Sequence, residues 1–163
     1  MLATLRFLQL LALGVWLGGM AVFSFIVAPA VFAVLPSRHL AGDLVTVALA
    51  RMYMVSVLCG AVFAGALVVE QMHSGGALRA MAVPVALLAL ALVLGSYNQY
   101  GLTPPMAGLR AEMKATFGSV DQTPADHPLR VRFNRLHGVS MALLSGELLL
   151  LAALLFVTVR RFR

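Results

Sequence analysis

The chain has 163 residues, of which 61% are hydrophobic and only 11% charged, and its mean hydropathy is +0.96. That balance excludes an ordinary water-soluble globule and makes lipid the solvent for most of the chain. The formal charge of +6 does not point to nucleic acid, because the basic residues flank apolar runs instead of lining a soluble face.

A bilayer core needs about 20 mainly apolar residues per helix. Four stretches meet that length, giving helices over about 5–35, 45–70, 77–101 and 129–160. The apolar run from Phe7 is much longer than the roughly 7–15 residues of a signal-peptide core, so it reads as a retained helix. Within it, "LGVWLGG" carries a Gly14–Gly18 pair four residues apart, extended by Gly19 beside Trp16. Lipid supplies no hydrophobic drive between helices, so small residues that permit close approach mark helix contacts. These residues are therefore expected to face another helix. Pro29 removes one helical hydrogen bond and predicts a bend.

"LPSRHLAGD" at 35–43 reads as a tight connection, since Pro36 blocks continuation of the first helix. The second helix repeats the small-residue device with Ser56, Gly60 and Ala64. Cys59, the single cysteine, reads as a core residue. "HSGG" at 73–76 is the next turn, short enough that its flanking helices must be antiparallel neighbours.

The connection from Thr103 to about residue 127 is longer. Thr103 is placed to cap a helix opening with Pro104 and Pro105, and Met106, Leu109, Met113 and Phe117 fall near one face. This predicts a short amphipathic helix on the membrane surface, ended by Gly118. The complete architecture is an all-α, integral membrane four-helix bundle of up-down-up-down topology, in one transmembrane domain. Both termini then lie on the same side. Five basic residues at that end against seven at the other do not orient the bundle.

The fourth helix carries the sharpest signal. Ser140, Leu144 and Glu147 lie within about 80° of His137 on one side of the helix, so the polar atoms form a stripe. Glu147 is about 15 Å deeper than His137 and too far from either helix end to snorkel. An acidic residue at mid-helix costs about 2.5–3.5 kcal/mol on insertion, and the surrounding leucines each return about 0.3–0.6. Insertion thus tolerates Glu147, and two readings stand: an uncharged carboxyl bonded inside the bundle, or a proton or cation site. Arg51, Tyr97 and Asn98 are expected at the level where the fourth helix begins, either as a polar collar or as the mouth of a site with His137. The candidate polar site is therefore His137, Ser140, Glu147, Asn98, Arg51 and Tyr97, and the candidate packing set is Gly14, Trp16, Gly18, Gly19 and Gly60.

Nine methionines and four histidines invite a metal reading, and soft sulfur ligands suit monovalent copper. The spacing carries little weight, because methionine is a common core filler and only His137 falls near a helix face. No HExxH, phosphate loop, nucleophile elbow or CxxC is present.

The segments "WLGGMAVFSFIVAPAVFAVLP" (16–36), "NQYGLTPPMAGLR" (98–110) and "FNRLHGVS" (133–140) together resemble the transmembrane protein 205-like family. The resemblance implies a small multi-pass membrane protein of poorly defined activity. It singles out Trp16, Gly18, Gly19, Pro29, Asn98, Pro104, Arg110, His137 and Ser140; Leu144 stands where members often carry asparagine. The expected function is a non-enzymatic accessory component, or a protein handling small solutes or ions, in a bacterial cytoplasmic membrane. It needs no cofactor or metal, and its partners are the lipid bilayer and either other membrane subunits or itself. The alternative is a haem- or copper-binding redox component.

Overall fold

The computed structural model describes residues 1–75 and 79–162. Four helices, each long and apolar enough to cross a membrane, run from Leu2–Val34 (α1), Arg38–Ser74 (α2), Arg79–Phe117 (α3) and Pro128–Arg161 (α4). Side-chain contacts give their relative directions. Arg6 meets Glu70 and Trp16 meets Gly60 across α1 and α2, while Gly95 meets Glu147 and Asn98 meets Ser140 across α3 and α4. Each helix is therefore antiparallel to the next. Contacts of α1 with α4 and of α2 with α3 close the ring, and the bundle is the expected four-helix one.

The helix ends follow local chemistry. Pro36 precedes an extended Ser37, whose hydroxyl accepts from the Leu40 N–H at 3.1 Å and opens α2. His127 does the same for α4, with Nδ1 accepting from Leu129 N–H at 3.3 Å and Pro128 in the first turn. Gly75 and Gly118 end α2 and α3 with φ of +62° and +83°, conformations that a side chain would strain.

Two of the proline sites within the spanning helices sit beyond a stretch of π-helix, while Pro84, near the start of α3, stands in regular α-helix. Phe23–Val27 precedes Pro29, and Tyr97–Leu102 precedes Pro104 and Pro105. A proline cannot donate to the carbonyl four residues back and crowds it, and a wider turn relieves that crowding. Thr103 is consequently not a separate N-cap. It stays helical, and its hydroxyl donates to the Asn98 carbonyl at 3.0 Å, occupying an acceptor in the widened turn. The helix expected after Thr103 is present, joined to α3 without a break, and packs on the first part of α4.

The interior is closed around Leu13, Trp16, Phe63, Leu67, Leu151 and Leu154, all at most 1% exposed. The outside is equally apolar: Phe25, Leu58, Leu149 and Phe156 are all more than half exposed. A continuous apolar exterior of this kind is unstable in water, whereas acyl chains solvate it. The chain is an integral membrane protein in contact with the lipid bilayer.

The glycine pair of α1 corrects one expectation. Trp16 occupies the inward direction, and residues two positions away lie about 160° from it. Gly14 and Gly18 accordingly face outward, and a Cβ on either meets nothing within 4 Å. A Cβ on Gly19 would instead stand 3.0 Å from the Met52 side chain, and one on Gly60 would stand 3.4 Å from both Leu92 and the Trp16 ring. The close approach of α1 to α2 thus uses Gly19 and Gly60, not Gly14 and Gly18.

Candidate functional site

Every helix contributes to the surroundings of Glu147. Its carboxyl, on a residue 4% exposed, accepts from the Trp16 indole N–H at 3.2 Å. Both carboxylate oxygens lie 3.3 Å from where a Cβ on Gly95 would stand, so glycine on α3 makes the space that the acid fills. Gly60 on α2 does the same for the Trp16 ring. The sequence directs this locally: Leu144, Glu147, Leu151, Leu154 and Thr158 are the buried residues of α4, spaced at three and four so that they form one stripe. The carboxyl has one hydrogen bond among the described residues.

One level toward the start of α4, Ser140 and Asn98 form a reciprocal pair. The Ser140 hydroxyl donates to Asn98 Oδ1 at 2.6 Å, and Asn98 Nδ2 donates to the Ser140 carbonyl at 3.4 Å. At the same end Tyr53 pairs with Ser96 at 2.9 Å. Because the Ser96 hydroxyl donates to the Leu92 carbonyl at 2.6 Å, its oxygen is the acceptor for Tyr53. Asn98 is about one turn from Gly95 on α3, and Ser140 is two turns, about 10 Å, from Glu147 on α4, with the buried Leu144 between them.

Three of the expected site residues stand apart. His137 is exposed and stacks parallel on Phe133, 6.0 Å between ring centres. It stands about 60° from the centre of the buried stripe of α4, on a flank no other helix covers. Arg51 is exposed on α2, and Tyr97 is 55% exposed with its ring over Gly101. The six residues thus resolve into a buried acid, a bonded Asn–Ser pair, and three surface side chains.

The larger polar cluster lies at the opposite end of the bundle. Glu70 accepts from Arg6 Nε at 2.8 Å and from Gln9 Nε2 at 2.9 Å. Gln9 and Thr158 are fully buried, and Gln71 is 7% exposed. Among the described residues, Gln9 Oε1, Gln71 Nε2 and Thr158 Oγ1 are buried without hydrogen-bond partners. Neither Arg6 nor Glu70 is among the candidate residues read from the sequence. The signal that identifies the cluster is helical phase: Gln9 is seven residues from Trp16, two turns along the same face, and Glu70 and Thr158 continue the buried stripes of Phe63 and Leu67 and of Leu151 and Leu154.

Between this cluster and Glu147 lie Leu13, Phe63, Leu67, Leu151 and Leu154, each 0% exposed. Along α4 the separation from Glu147 to Thr158 is about 16 Å. Along α4 the polar belt is nearer to Glu147 than the terminal cluster is, seven residues against eleven, with Leu144 the one buried residue of the stripe between belt and acid, and an apolar plug closes the other side. Among the described residues no three or more His, Cys, Asp or Glu side chains are grouped to hold a metal ion, and Cys59 is buried in the core.

The model of a family described as a domain of unknown function, DUF4149, matches residues 11–115. The match covers well over half of the chain, which belongs to this family. It includes Trp16, Gly60, Glu70, Gly95 and Asn98, while Gln9, Ser140 and Glu147 lie outside the matched segment. No curated protein and no solved structure matches the chain.

Proposed function

We propose that this DUF4149 chain is a non-enzymatic membrane protein that handles protons or small cations through the carboxyl of Glu147, with both termini on one side of the bilayer. The observation carrying the proposal is the one-sided surroundings of that acid: a polar belt of Asn98, Ser140, Tyr53 and Ser96 on one side, a fully buried apolar plug on the other. Intramembrane acids commonly mark ion paths because their burial is costly. Here the Trp16 N–H holds one oxygen in place, leaving the other to take a proton or cation arriving from the belt. The plug prevents leakage, so transfer to the Glu70 end requires the leucine and phenylalanine layer to part.

The test is flux into proteoliposomes loaded with a pH-sensitive dye, under an imposed proton or potassium gradient. Wild-type protein is expected to give a signal that Glu147→Gln abolishes, with both proteins keeping the same thermal unfolding profile. Absence of flux in the wild type, or flux unchanged by Glu147→Gln, defeats the proposal. An accessory role has separate support in the outward Gly14 and Gly18, which form a smooth face for another transmembrane helix. Co-purification in a larger complex, disrupted by Gly14→Leu and Gly18→Leu, is the result that favours it.

A further inference from the structure

Away from the bundle axis, the start of α2 and the outer part of α3 enclose an open groove of about 550 Å³. Its floor on α3 is made by small residues, Ala107 and Ala111, and its donors are Arg110 and Lys114; His39 and Asp43 stand opposite on α2. Arg110 is 8% exposed, an unusual degree of burial for a guanidinium. Gly42 makes the burial feasible, since a Cβ there would overlap Arg110 Nη1.

The hydrogen-bond inventory of Arg110 is incomplete. Nη2 donates to Thr46 Oγ1 at 2.8 Å and stands 3.7 Å from Asp43. Thr46 passes its own proton to the Gly42 carbonyl at 2.6 Å, so its oxygen faces the guanidinium. Nε is buried with no partner, and Nη1 has no hydrogen bond among the described residues. His39 Nδ1 is likewise buried and unpartnered, while its Nε2 faces Asp43 at 3.4 Å. A guanidinium carries five donors in a rigid fork that matches an oxyanion. One hydrogen bond is made among the described residues, and Nη1, the unpartnered nitrogen that is not buried, keeps its two donors for a ligand.

We infer that this groove binds a phosphate group, seated between Arg110 and Lys114. The two fixed cations outweigh the single carboxylate of Asp43, and that carboxylate is shared with His39. The surrounding helix ends are also net basic: Arg38 is paired with Asp121 at 3.3 Å, and Arg51, Arg130, Arg132 and Arg135 outnumber Glu112 and Asp126 at the same end of the bundle. At the ends of membrane-spanning helices the prevailing anion is phosphate, either in a lipid headgroup or free at the surface. The groove is open and roomy enough for a headgroup, and the alanine floor lets it lie against α3.

Two probes separate the sources. Delipidated protein in detergent is titrated with inorganic phosphate by calorimetry, and in a second arm incubated with phosphatidylglycerol and examined by native mass spectrometry. One equivalent of either probe is expected. Binding of phosphatidylglycerol alone identifies a headgroup, and binding of inorganic phosphate identifies a free-phosphate site. Lys114 and Ala111 are exposed, so Lys114→Gln and Ala111→Leu leave the Arg110 pairing and the fold intact. Lys114→Gln should weaken binding about tenfold by removing a charge-assisted contact, and Ala111→Leu should abolish it by filling the floor. Failure of both probes to bind, or binding that both variants leave unchanged, overturns the inference.

Discussion

Replacing Glu70 with leucine tests whether the polar cluster at the terminal end is a bonded unit or a set of tolerated residues. The glutamate serves two donors, Arg6 at 2.8 Å and Gln9 at 2.9 Å. Arg6 has a 39% exposed side chain, and can turn to water or headgroups at little cost. Gln9 has no such escape, being fully buried with Oε1 already unpartnered. Leucine therefore strands the entire Gln9 amide, at about 1–3 kcal/mol for each buried polar group left unsatisfied. Glutamine at the same position behaves differently. Its carbonyl can keep Arg6, while its amide donates to Gln9 Oε1 once the Gln9 amide flips, so the loss should stay near 1 kcal/mol. Glu70→Leu is accordingly expected to be about 2 kcal/mol less stable than Glu70→Gln. Reversible unfolding of the detergent-solubilised protein in sodium dodecyl sulfate, followed by far-UV circular dichroism, resolves a difference of that size. Equal stabilities for the two variants, or a Glu70→Leu variant as stable as the wild type, refute the reasoning.

Gly14→Ala and Gly18→Ala should not weaken the folded monomer, because each new methyl enters open space; removing a helical glycine should instead add up to about 1 kcal/mol. The same assay should show Gly60→Val destabilising by roughly 1–3 kcal/mol, since its branches meet Trp16 and Leu92, already 3.4 Å from a Cβ. Thr103→Val keeps the shape of the side chain and takes from the Asn98 carbonyl one of its two donors, leaving the Thr103 backbone N–H, and should lower stability by up to about 1 kcal/mol. Unchanged unfolding in Thr103→Val would mean that the hydroxyl contributes nothing to the widened turn.

Much of this architecture is legible before any coordinates. Four long apolar runs interrupted by Pro36 and the glycines near residues 75 and 118 dictate four helices, because lipid forbids unsatisfied backbone. The depth of Glu147 follows from its distance along α4, and its inward direction from helical phase. Three features did not follow. The GxxxG spacing of Gly14 and Gly18 marks a smooth face without saying which way it points, and the bulk of Trp16 turned it outward. His137 shares a side of α4 with Glu147, yet it stands about 15 Å from it along the helix, at a level where that flank of α4 is exposed. The Gln9–Glu70 pair spans 61 residues, and nothing local to either residue announces the other; only the recurrence of polar residues on three buried stripes at one level does. The resemblance drawn from the motifs around Trp16, Asn98 and His137 highlights Asn98 and Ser140, which pair, but not Gln9 or Glu70.

The chain holds one tryptophan, and its indole nitrogen touches the buried acid at the bundle centre. Excited indole is sensitive to a carboxyl at hydrogen-bonding distance, so ultraviolet emission at a single wavelength samples this one contact without any attached label. Gain or loss of a proton, arrival of a cation, or parting of the two helices each alters that glow. The molecule thus carries a built-in optical gauge of its own interior, readable in a cuvette.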